Sequence, residues 1–246
     1  MSAATAPAGA FAGPFLRDPA AELAYRHGAR AEELRVNLVV YLVAVTNMLV
    51  FLGSDRIFLP PGPTRLALAA GRVGYAALVA LVLVLVRRVG SPAARDALHA
   101  TLSALLMVLS TCIHATRPRG FYLYLPFDIV IAFATWAVLA VSFRWQAALS
   151  ALALGASVLV LGAFRDPLSP AGNLAIGMAL ATVHLIGALT SWHLHRARRA
   201  AWLGRQAAEA ASREKSVFLG SVSHELLAPL SGLVAAANGL VAGRGA

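Results

Sequence analysis

With 246 residues, 59% of them hydrophobic and only 13% charged, the chain is too apolar to present a water-facing surface over most of its length, which excludes an ordinary soluble domain. Its net charge of +10 comes from arginines at the ends of hydrophobic runs, where a guanidinium reaches lipid phosphates, so the implied partner is the lipid bilayer and no nucleic acid is needed to explain the charge. Cys112, the one cysteine, lies in an apolar run and excludes an intrachain disulfide.

Residues 1–17 begin with Ala, Gly and Pro without periodicity and read as a disordered tail. No signal-peptide pattern opens the chain, so the first membrane helix is expected to act as its own insertion signal. Asp18 can cap a helix whose first turn accepts Pro19, and residues 18–35 mix apolar and charged side chains as an amphipathic interfacial helix does. Gly28 is a candidate kink within it.

Six apolar stretches then approach the roughly 20 residues needed to cross a hydrocarbon core of about 30 Å. They lie at 36–52, 71–86, 98–113, 121–143, 145–164 and 174–192, separated by Pro-, Gly- and Arg-containing turns. The predicted architecture is all-α: a polytopic membrane helix bundle of about six transmembrane helices over residues 36–193. Placing both termini in the cytoplasm puts Arg26, Arg30, Arg35, Arg87, Arg88, Arg95, Arg144, Arg196, Arg198 and Arg199 inside, against Arg56, Arg65, Arg117, Arg119 and Arg165 outside. That bias sets the expected orientation in a bacterial plasma membrane.

Polar residues inside apolar spans are costly and are the natural place to look for a site. Asn47, Thr111, Cys112, His114, Asp128 and His184 qualify. His114, Arg117, Arg119 and Asp128, with Tyr122 and Tyr124, are expected to gather at the outer face, as either a ligand and sensor pocket or an interfacial salt-bridged belt. The belt is the plainer reading. Cys112, His114 and His184 have no metal-ligand or haem spacing.

Past residue 193 the composition shifts to helix formers, and residues 194–213 read as a cytoplasmic linker helix. In residues 214–246, Leu219, Val222, Leu226, Leu230 and Leu233 recur at spacings of three and four, the seam of a helix that packs on a partner helix. At 100° per residue His224 lies about 200° from both Val222 and Leu226, facing away from the seam into water. Glu225 beside it can hydrogen-bond one ring nitrogen and leave the other nucleophilic. Pro229 removes a backbone hydrogen bond and predicts a bend just past the histidine.

In order and spacing, Phe218, Ser223, His224, Glu225, Leu226, Pro229 and Leu230 match F-x-x-x-x-S-H-E-L-R-T-P-L, and the segment resembles the H-box of bacterial sensor histidine kinases. The resemblance implies that His224 is the phosphoacceptor, that Glu225 is the acid/base beside it, and that the helices pair in parallel in a homodimer serving a response regulator. Two positions depart from the pattern: Leu227 stands for the family's Arg, and Ala228 for the Thr or Asn that orients water in dephosphorylating the regulator. No Gly-rich lid or Asn-bearing nucleotide helix is recognisable in these residues, so ATP is expected only through a catalytic domain outside them or supplied in trans. More loosely, AELAYRHGARAEELRVN leading into VVYLVAV resembles the entry to the six-helix sensor regions ahead of histidine kinases and diguanylate cyclases. The expected function is the membrane sensor and phosphoacceptor portion of a two-component kinase. Alternatives are a phosphorelay intermediate phosphorylated in trans, or a non-enzymatic scaffold or small transporter that retains a degenerate H-box.

Overall fold

The computed structural model describes residues 9–122, 124–166 and 168–242, with side chains through residue 232 apart from residue 228. The chain divides into two compact units, Gly9–Ala197 and a second unit on the chain from Arg198 onward.

Part of the expected disordered tail is ordered. Phe11–Ala12 (β1) and Phe15–Leu16 (β2) pair antiparallel, with Ala12 opposite Phe15. Gly13 adopts φ +63, the positive value that a two-residue hairpin turn asks of its first central residue. The guanidinium of Arg196 lies over the Phe11 ring at 5.1 Å, and that of Arg144 over Phe15 at 5.9 Å, so cation–π contacts hold a segment whose composition alone carries no ordering signal. Residues 1–8 lie outside the described residues.

Helix α1 (Pro19–Gly28) starts as its sequence predicts, with Asp18 accepting from the amides of Ala20 and Ala21 at 3.0 and 3.3 Å. It ends at Gly28. Arg30 already opens the next helix, so residues 30–35 belong to the first long apolar helix and not to a separate interfacial one. The elements that follow are α2 (Arg30–Val50), α3 (Leu52–Phe58), α4 (Pro63–Leu85), α5 (Pro92–Ala115), α6 (Leu125–Phe133), α7 (Phe143–Phe164) and α8 (Pro170–Ala242). Pro63, Pro92 and Pro126 each sit in a first helical turn, where the missing amide hydrogen costs nothing.

Among the described residues, five helices, or helix pairs in the case of α2 and α3, are long and apolar enough to cross a bilayer. The fourth expected span differs. Its apolar helix covers only Leu125–Val138, α6 passing into a π-helical turn at Ala134–Val138, and Leu139 is extended (φ −61, ψ 117). Broken backbone in an apolar setting must find its hydrogen-bond partners elsewhere. Asn37 supplies two of them, its amide donating to Ala140 O at 3.1 Å and its Oδ1 accepting from Ala140 N at 2.8 Å. Gln146 supplies two more, donating to Trp136 O at 3.3 Å and Leu139 O at 2.8 Å, while its Oε1 receives the hydroxyl of Ser191 at 2.5 Å.

Within the first unit the core is formed by Tyr41, Leu68, Val79, Leu102, Met107 and Leu149 among others, from α2, α4, α5 and α7. Large apolar residues also face outward, with Val43 64%, Leu66 73% and Leu185 63% exposed, as expected where lipid is the solvent. One close helix contact depends on a missing side chain: a Cβ at Gly187 on α8 would stand 2.4 Å from Trp136 Cδ1.

At one end of the bundle, Arg26 is buried and donates to Asp96 at 2.6 Å, with Glu33 at 3.5 Å. Burial opposes the charge on Arg26, but Glu33, Asp96 and Glu22 outweigh it and hold its pKa above the ordinary arginine value. The second oxygen of Asp96 takes the amide of Ser142 at 3.1 Å, and Arg95 donates to Arg26 O at 3.2 Å. These arginines were expected among lipid phosphates. They are instead consumed in tying α1 and the start of α7 to the start of α5.

Candidate functional site

The opposite end of α5 carries a second buried charge cluster. Asp55, on the short helix α3, is 1% exposed, and its Oδ1 accepts from Arg72 Nη2 at 3.0 Å and from Arg117 Nη2 at 2.6 Å. Arg72 comes from the middle of α4 and also donates to Met48 O at 2.9 Å. Arg117 follows the end of α5, reaches Ser54 Oγ at 3.2 Å, and has the ring of Phe58 under its guanidinium at 4.9 Å. Beside them Arg165 is buried, giving all its hydrogen bonds to main-chain carbonyls, including His114 O at 2.5 Å and Arg117 O at 3.2 Å.

Of the predicted outer-face residues, His114, Asp128 and Tyr124 are brought together, the His114 and Tyr124 rings lying 5.0 Å apart. His114 Nδ1 lies 3.6 Å from Asp128 Oδ1, and the other oxygen of Asp128 receives the Ser157 hydroxyl at 2.7 Å. Arg117 is drawn into the Asp55 cluster. Arg119 is exposed and joins neither group by its side chain, its main-chain oxygen accepting from Asp166 N at 3.3 Å. Arg117 is buried and His114 and Asp128 are largely so, with Arg117 ion-paired to Asp55 and His114 beside Asp128. His184 pairs with Ser150, Thr111 bonds back to Met107 O at 2.7 Å, and Cys112 is exposed.

A cavity of about 140 Å³ opens beside the cluster, lined by Asn47, Phe51, Arg72, Ser110, Arg117 and Tyr124 among others. Its neighbour, of about 280 Å³ and lined mainly by apolar residues such as Val40, Met107 and Leu139, shares Asn47, Met48, Val130 and Ile131 with it. Four polar atoms on residues of the first cavity, Arg117 Nη1, Ser110 Oγ, Arg72 Nε and Tyr124 Oη, are buried and have no hydrogen-bond partner among the described residues. Asp55 Oδ2 is likewise unpartnered, but Asp55 does not line the cavity.

Sequence reasoning passed over Asp55, Arg72 and Ser110. Arg72 was visible as an arginine within an apolar stretch, which demands a counter-charge. Asp55 was hidden in what read as a polar turn, and nothing in its local spacing joins it to residues 17 and 62 positions away.

His224 and Glu225 are both exposed on α8, and His224 lies on the same helix that carries the last apolar span. Leu219, Leu226 and Leu230 are more than half exposed, so the predicted seam is uncovered in the single chain. Pro229 lies inside α8, which continues past it. Ala228 and Leu233 fall outside the residues whose side chains are described.

The class defined by these features is an all-α, multi-pass membrane protein. Compared with known proteins, the chain matches no family model, no curated protein and no solved structure significantly.

Proposed function

We propose that the chain is the membrane sensor and phosphoacceptor portion of a two-component histidine kinase, relaying a membrane event to His224. The observation that carries this reading is the exposed Ser223-His224-Glu225 core on α8, set in the seven matching positions from Phe218 to Leu230. With ATP held by a catalytic domain, the free imidazole nitrogen attacks the γ-phosphorus and ADP departs, while Glu225 holds the other ring nitrogen. The uncovered leucines at 219, 226 and 230 then pack against the same residues of a second copy, making a parallel homodimer through which helix packing transmits the signal.

The chain crosses the bacterial plasma membrane six times with both termini cytoplasmic. Support for the sixth crossing comes from α5: its His114 end touches Tyr124, ring centroids 5.0 Å apart, and its Asp96 end holds Ser142 N. Residues 124–142 thus run the length of α5 between those points, about 27 Å at 1.5 Å per residue, although only part of the segment is helical. Burial removes Arg26, Arg95 and Arg199 from the inner set and Arg117 and Arg165 from the outer. What remains for phosphates is Arg30, Arg35, Arg87, Arg88, Arg144, Arg196 and Arg198 against Arg56, Arg65 and Arg119, and the inward bias persists.

The test is phosphotransfer in trans. The chain in membranes, mixed with ATP and a histidine-kinase catalytic domain, is expected to take label on His224. His224→Ala abolishes it and Glu225→Gln slows it. Equal labelling of wild type and His224→Ala would end the assignment and favour a scaffold that keeps only the motif.

A further inference from the structure

The first cavity combines features that a purely structural arginine cluster does not require. Two guanidiniums, Arg72 and Arg117, line it, and no carboxylate does. The nearest acid, Asp55, meets both through one oxygen, so the cluster holds one positive charge in excess where water is scarce. Arg117 and Ser110 are 7% and 5% exposed, and Arg117 Nη1 and Ser110 Oγ are left without partners. Buried donors without acceptors are rare in folded proteins, and with Arg72 Nε and Tyr124 Oη also unpartnered on the same lining the set suits an anionic group with two oxygens, each able to accept two hydrogen bonds. A carboxylate has that form.

The remaining wall is apolar, and through Asn47, Met48, Val130 and Ile131 the cavity adjoins the larger apolar one. At about 10–15 Å³ per water-sized group, the first cavity takes a head and a chain of about seven to twelve further atoms, and the second gives the end of a chain room to extend. The geometry points to a medium-chain aliphatic monocarboxylate as the ligand, its head on Arg117 and Ser110 and its chain passing Asn47. This deepens the sensor reading by naming the stimulus class, and the binding itself needs no phosphotransfer.

Equilibrium binding of labelled octanoate to the full chain in phosphatidylcholine nanodiscs, with empty discs as baseline, tests it. Binding should saturate, be displaced by unlabelled octanoate, and resist octanol and octylamine. Butyrate should bind more weakly by roughly threefold to fourfold per missing methylene. Arg117→Gln should weaken octanoate about tenfold or more, the loss expected for one charge-assisted bond. Asn47→Phe, which narrows the passage between cavities without touching the charge cluster, should weaken octanoate more than butyrate. Displacement by octanol as effective as by octanoate, wild-type affinity in Arg117→Gln, or equal loss of butyrate and octanoate in Asn47→Phe would each overturn the assignment. Loss of octanoate binding on adding a minor fraction of phosphatidylglycerol would give the head site to a lipid phosphate and overturn it too. No kinase or ATP is present, so failure here leaves the His224 proposal standing, and failure of His224 labelling leaves the cavity standing.

Discussion

Asn37 and Ala140 exchange two hydrogen bonds across 103 positions of sequence, the side-chain amide of one matching the backbone amide of the other. Asn37 is fully buried, at 0% exposure. It gives the extended residues after the π-helical turn the pairing a neighbouring strand would give in a soluble protein.

Replacing Asn37 by Leu keeps the volume and strands both backbone groups of Ala140. Each buried unsatisfied group costs about 1–3 kcal/mol, so the loss should be about 2–6 kcal/mol, read as a fall in thermal midpoint of the purified protein. Asn37→Asp keeps the acceptor for Ala140 N and loses only the donor. On that bond alone it should lie between wild type and Leu, unless the carboxylate charge it buries adds its own penalty. A Leu variant as stable as wild type would show that water or a shift of the turn satisfies Ala140.

Gly187→Ala should destabilise by about 1–3 kcal/mol, because the new methyl would meet Trp136 Cδ1 at 2.4 Å and Cγ at 2.8 Å. Shrinking the tryptophan should reverse the penalty. In a double-mutant cycle with Trp136→Leu, the alanine should cost much less than it does beside tryptophan. Equal costs in both backgrounds would place the two residues apart.

Asp55→Asn should be worse than Arg117→Gln. The first leaves Arg72 and Arg117 together without their shared counter-charge, a loss of about 3–5 kcal/mol for a broken buried ion pair. The second leaves Asp55 still bonded to Arg72 at 3.0 Å. Chemical denaturation of the two variants side by side decides the order, and the reverse order would mean that Asp55 is not the hub.

Reporter fusions after residues 61, 91, 119 and 246 should report outside, inside, outside and inside. The pair at 119 and 246 discriminates best, since the two lie on opposite sides only if residues 124–142 count as a crossing. The same signal at both would break the alternation on which the inner placement of His224 rests.

The membrane character, the start of α1 and the α8 segment around His224 were legible because each is written locally: apolar runs of sufficient length, Asp18 before Pro19, leucines at spacings of three and four, whereas α4 and α5 begin at Pro63 and Pro92, ahead of the stretches expected from 71 and 98. The fourth span was read as one long helix because its composition is apolar throughout. Composition does not reveal that Asn37 and Gln146, from other helices, make a broken backbone affordable. Likewise His114, Arg117 and Asp128 were recognisable as costly polar residues, while their partners were not. Asp55, Arg72, Ser110 and Ser157 reach them only through helix packing, since a hydrogen bond between side chains far apart in sequence leaves no periodic trace. Local hydropathy decides which segments leave water. Which polar groups then meet, and which are left with a free donor, is decided where the helices touch, because an apolar interior tolerates a polar atom only beside its partner.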